Sequence, residues 1–122
     1  MKSKAAVFLL VVVLSSACGG GRNPEKFTLI EIRASGCEPC ERTEPAVNEL
    51  RRSFGTRLRF ESHDINDPRG RLYVSQYRVR VVPTLIIIDD EGTARYRSEG
   101  VFDPSDVRRS VERLIAPSAQ RE

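Results

Sequence analysis

Residues 27–40 read FTLIEIRASGCEPC, and the change of pattern along them decides the fold. Phe27 to Ala34 is apolar and β-branched with partial alternation, which predicts a strand. From Cys37 to about Phe54 the period lengthens. Val47, Leu50 and Phe54 recur at spacings of three and four, one buried stripe of a helix. Cys37-Glu38-Pro39-Cys40 therefore stands just past a strand, at the first turn of a helix. A thiolate there meets unpaired backbone N–H groups and the positive end of the helix dipole, both of which stabilise it. The two cysteines lie one turn apart, so their sulfurs can meet. Cys37 is the expected attacking thiol and Cys40, one turn inward, the resolving thiol. Pro39 stiffens the turn and gives up an N–H that has no helical partner.

Other uses of such a pair weigh less. A structural disulfide is open to a secreted protein. A zinc site needs four ligands, and beyond the pair the chain offers only Cys18 and His63. The expectation is no metal and no cofactor.

Outward from the motif, Leu58 to Asp64 alternates and predicts a second strand, with Leu58 and Phe60 on one side and Arg59 and Glu61 on the other. Asp67-Pro68 opens a short helix over 68–78, with Leu72 and Tyr73 as its buried positions. Thr84 to Ile88 is a continuous apolar run, the pattern of a central strand covered on both faces. Residues 89–92 form a hairpin turn, and Thr93 to Arg97 returns as an edge strand. Gly100 ends it, and Asp103-Pro104 starts a last helix with Val107, Val111, Leu114 and Ile115 inward. His63 reads as a surface residue near a strand end. The order β-α-β-α-β-β-α is an α/β arrangement, with a mixed sheet layered between helices on both faces.

The 122 residues make one domain, with 39% hydrophobic and 30% charged side chains. The formal charge of +3 includes Lys2 and Lys4. These precede an apolar run, Ala5 to Leu14, too short for the ~20 residues that span a bilayer. With that leader removed, 18 basic side chains face 17 acidic ones, scattered among each other, so nucleic acid is not an expected partner. Ser15-Ser16-Ala17-Cys18 follows the apolar run, and this start resembles a bacterial lipoprotein signal. That likeness implies cleavage before Cys18 and a diacylglycerol on its sulfur. Ser15 stands where such signals usually carry leucine. The other reading is an ordinary signal cut near Ala17, leaving a free thiol. The division expected is a signal over 1–17, a lipidated cysteine and flexible tether over 18–26, the folded domain over 27–118, and a tail over 119–122.

The folded part resembles the thioredoxin family across about residues 27–116. The likeness rests on Cys37-Glu38-Pro39-Cys40, on Pro45 five residues after Cys40, on Val82-Pro83-Thr84 following Tyr77-Arg78-Val79-Arg80, and on Gly92 and Gly100. It implies the thioredoxin fold and a cis bond before Pro83, which sets the Val82 backbone beside Cys37. The N–H and C=O of Val82 then pair with an extended substrate peptide, flanked by Gly36, Glu38, Pro39 and Thr84. Glu31, six residues before Cys37, matches the family's buried acid, which implies proton exchange with Cys40. An acid within an apolar strand is costly without such a use. Two features depart from the family. Gly36 stands in place of the usual tryptophan, and the additional N-terminal strand and helix are missing.

The resemblance implies thiol–disulfide exchange. Three activities compete: a reductase of extracytoplasmic protein disulfides recharged by a membrane thiol donor, an oxidase or isomerase, and a non-catalytic interaction module. Glu38 beside Cys37 opposes the negative charge of a thiolate, which favours the reductase. The Glu-Pro pair is similar to that of reductases of cytochrome c maturation, but the insertion those proteins carry is absent between Asp64 and Pro83. The expected state is a monomer held to a membrane by the lipid on Cys18, on the periplasmic side of the inner or outer membrane or at the cell surface.

Overall fold

The computed structural model describes residues 26–116; the signal over 1–17, Cys18 and the tether up to residue 25, the last two residues of the expected domain and the whole tail over 119–122 lie outside the described residues. Seven elements follow one another: β1 (Phe27–Arg33), α1 (Glu38–Phe54), β2 (Arg59–Asp64), α2 (Pro68–Gln76), β3 (Thr84–Asp89), β4 (Ala94–Glu99) and α3 (Pro104–Ile115). Each boundary falls within two residues of the one the sequence predicts.

The sheet order is β2-β1-β3-β4. β1 and β2 run parallel, as a crossover through α1 allows. β1 pairs antiparallel with β3, and β3 antiparallel with β4 through the hairpin. The two central strands are buried on both faces. This accounts for the unbroken apolar run of β3, and it carries β1 beyond the partial alternation its sequence suggests.

α1 and α3 cover one face. Val47, Leu50 and Phe54 of α1 and Val107 and Val111 of α3 close over Phe27, Leu29, Leu85 and Ile87. Each such side chain contributes about 1.5–3 kcal/mol by leaving water. Leu114 and Ile115 pack at the margin of this cluster, half-buried rather than central. α2 covers the other face, where Tyr73 meets Ile30 and Ile32.

Two sequence expectations change on this second face. Leu72 is 56% exposed, not buried. Gly70 and Tyr73 are the buried positions of α2, with Tyr77 continuing their line just past the helix end, and Leu72 falls off that line. His63 is half-buried rather than a surface residue. Its Nε2 meets Glu61 Oε2 at 2.9 Å, the Tyr73 hydroxyl donates to the same oxygen at 3.1 Å, and the His63 and Tyr73 rings meet edge to face.

Candidate active site

The chain turns from β1 into α1 at Ser35-Gly36. Both the backbone N–H and the hydroxyl of Ser35 donate to Asp64 Oδ2, at 2.8 and 2.9 Å. The backbone N–H of Asn66, then the Ser35 hydroxyl, hold the Asp64 carboxyl below its ordinary range. Gly36 follows at φ +72, a conformation L side chains rarely adopt, with open space where a Cβ would point. This gives the missing tryptophan a backbone reason: a side chain at this turn would be strained.

Cys37 is the N-cap of α1, and its sulfur accepts the Cys40 N–H at 3.2 Å. The two cysteines form a disulfide with their Cα atoms 5.2 Å apart. Cys37 is half-buried, whereas Cys40 has no exposed surface. An incoming thiol or disulfide therefore meets Cys37 first. Pro39 lies in the first turn, as expected, and Pro45 lies inside the helix, which runs on through it to Phe54. Sequence reading missed Thr43. Buried beneath this turn, its hydroxyl donates to the carbonyls of Pro39 and Cys40 at 3.2 and 3.0 Å. Glu38 is exposed and paired with Arg42 at 2.5 Å, one turn on. The guanidinium offsets part of the negative charge that the sequence alone sets beside Cys37.

Glu31 is 3% exposed. Alternation along β1 aims it, with Phe27 and Leu29, at the face that α1 covers. Its Oε2 accepts the Ser62 hydroxyl at 2.7 Å, while Oε1 is buried without a partner. An unpaired buried carboxylate oxygen is uncommon in a folded domain.

The Val82–Pro83 bond is cis, the isomer the resemblance implies. Neither the N–H nor the C=O of Val82 has a hydrogen-bond partner among the described residues. Its neighbours are tied. The buried Thr84 hydroxyl donates to the Val81 carbonyl at 2.6 Å, and the Gly100 N–H donates to the Pro83 carbonyl at 2.8 Å. This last bond brings Val101 to the same rim. Val81 and Val101 are 43% and 53% exposed, two of the three large apolar side chains left open among the described residues. They supply apolar surface beside Pro83 in a chain without tryptophan. Among the described residues no three His, Cys, Asp or Glu side chains gather to hold a metal ion.

The thioredoxin family model matches residues 22–113. The chain is 28% identical over 105 residues to the thiol:disulfide interchange protein TxlA homolog of Synechocystis, covering 86% of this chain and 56% of that protein. It is 31% identical over 64 residues to the thioredoxin of Acetoanaerobium sticklandii, covering 52% and 59% respectively. This chain thus spans about half the length of the curated relatives it matches. A variant thioredoxin from Halobacterium salinarum superposes with a TM-score of 0.65 at 26% identity, covering 76% of this chain and 78% of that one. Thioredoxin from Fasciola hepatica gives 0.62 at 23%, covering 72% and 80%. Fold, motif and matched segment coincide, and the chain belongs to the thioredoxin family.

Proposed function

We propose that the chain is a thiol–disulfide oxidoreductase that reduces disulfides of proteins outside the cytoplasm. The observation that carries this reading is the Cys37–Cys40 disulfide at the start of α1, with its outer sulfur accessible and its inner one buried. The name of the Synechocystis relative, a thiol:disulfide interchange protein, supports the chemistry.

In the reduced form the Cys37 thiolate attacks one sulfur of a substrate disulfide. The Cys37–substrate bond forms as the other substrate sulfur leaves with the electron pair. Glu31 accepts the proton of Cys40, whose thiolate then attacks Cys37 Sγ and releases the second substrate sulfur. Two electrons pass to the substrate, and the chain is left as the disulfide. The substrate backbone pairs with Val82 as an added strand, and Gly36, Glu38, Pro39 and Thr84 frame the contact. A membrane thiol donor returns the two electrons.

The N-terminal pattern supports placement outside the cytoplasm, with a lipid on Cys18 as the tether. Among the described residues no helix is long and apolar enough to cross a membrane.

Titration of residues 22–122 in glutathione buffers tests the direction, with Cys37→Ser as control. A potential near about −270 mV supports the reductase, and one near about −120 mV makes the protein an oxidase. A bond that resists reduction well below about −300 mV makes the pair structural.

A further inference from the structure

Arg97 leaves β4 on the face that α2 covers, since it pairs in register with Ile86, and it reaches the far end of that helix. Its guanidinium donates to the carbonyl of Tyr77, the C-cap of α2, and to that of Arg78 at 3.1 Å. Arg78 has φ 51, the only positive value among the described residues other than glycine. Nε and Nη2 of Arg97 also donate to Glu99 Oε1, at 2.8 and 2.5 Å. Glu99 pairs in register with Thr84, and the N–H of the next residue, Gly100, holds the Pro83 carbonyl.

The segment from Tyr77 to Pro83 is thus gripped at its entry by Arg97 and at its exit by Gly100, with Glu99 linking the two. Val82 lies inside this span. A planar fork of fixed donors suits such a brace, because it meets two carbonyls and a carboxylate at once. The cation also lies at the negative end of α2.

We propose that Arg97, held by Glu99, is a positioning residue that fixes the Tyr77–Pro83 segment so that the Val82 backbone stays presented to a polypeptide substrate. The proposal rests on the reading of Val82 as the acceptor of a substrate strand. A small disulfide that only touches the sulfurs does not need the brace.

The test compares the wild-type domain with Arg97→Ala, Arg97→Lys and Glu99→Gln on two substrates, insulin as the polypeptide disulfide and 5,5′-dithiobis(2-nitrobenzoate) as the small one. For Arg97→Ala the expected result is a KM for insulin raised about tenfold, with kcat, the small-disulfide rate and the glutathione-buffer potential unchanged. Arg97→Lys, which keeps the charge and loses the fork, recovers part of the KM. Glu99→Gln, a milder change at the surface, raises the KM about threefold and keeps the question answerable if the alanine variant folds poorly. An unchanged KM for insulin in Arg97→Ala overturns the proposal, and so does an equal loss on both substrates. A wild-type domain that reduces the small disulfide but never insulin overturns the reading of Val82, and the proposal with it.

Discussion

The hydroxyl of Ser62 donates to Oε2 of Glu31 at 2.7 Å and leaves Oε1 buried without a partner. One oxygen of this carboxyl is anchored and the other is free within the layer between the sheet and α1. An unmet buried acceptor costs about 1–3 kcal/mol. Glu31→Leu is therefore expected to hold or raise stability by about 1 kcal/mol in urea denaturation, while slowing insulin reduction about a hundredfold if Glu31 has the proton-accepting role proposed for it. A variant that loses stability and keeps its rate would assign Glu31 a purely structural place.

The unequal exposure of the two sulfurs predicts unequal trapping. Cys40→Ser should accumulate a covalent adduct between Cys37 and a protein substrate, seen as an added mass that dithiothreitol removes. Cys37→Ser should form almost none, because Cys40 has no exposed surface. Equal adducts on both variants would mean that Cys37 is not the sole point of attack.

Gly70 allows α2 to lie against the end of β2. A Cβ built on it would come 1.8 Å from the Asp64 carbonyl oxygen, a backbone atom that cannot swing aside. Gly70→Ala is expected to cost about 1–3 kcal/mol or more, despite the better helix propensity of alanine. Because Asp64 also holds Ser35, insulin reduction by the folded variant should fall as well. Melting by circular dichroism beside the insulin assay reads both.

Glu61 predicts an acid limb to stability. Burial pushes its carboxyl up, and hydrogen bonds from His63 and Tyr73 bring it down by more, so it ends below the ordinary carboxylate range. A carboxyl depressed in the folded state contributes stability that is full above its unfolded value, about 4.3, and is lost as pH falls through the folded value. Glu61→Gln should flatten this limb, by at most about 1 kcal/mol, in denaturation curves taken between about pH 3 and pH 7. An unchanged slope would mean that the carboxylate adds nothing to the tie between β2 and α2.

The same carboxyl burdens the neighbouring phenol. Burial first, and then the hydrogen bond to Glu61, raise the Tyr73 hydroxyl above its usual range. Burial, and then the charge of Asp89, raise the Tyr77 hydroxyl as well. Spectrophotometric titration should therefore show two tyrosines ionising later than in the unfolded chain, of which Glu61→Gln brings down Tyr73.

By itself the sequence determined the order of elements, the site of the redox pair and the buried stripe of α1. Each is written in local periodicity: alternation for strands, spacings of three and four for Val47, Leu50 and Phe54, and a pair of cysteines where one period gives way to the other. Contacts between residues far apart in the chain were decided only by the tertiary structure. Nothing local announces that Ser35 will meet Asp64, or that Arg97 will reach Tyr77 and Arg78. These bonds join side chains to groups whose proximity is set by sheet register and helix placement. The same holds for Leu72, apolar yet exposed, because the short α2 had already turned Gly70 and Tyr73 inward. Local pattern states what a residue prefers, and packing selects which preferences are met, since only one face of α2 can lie against the sheet.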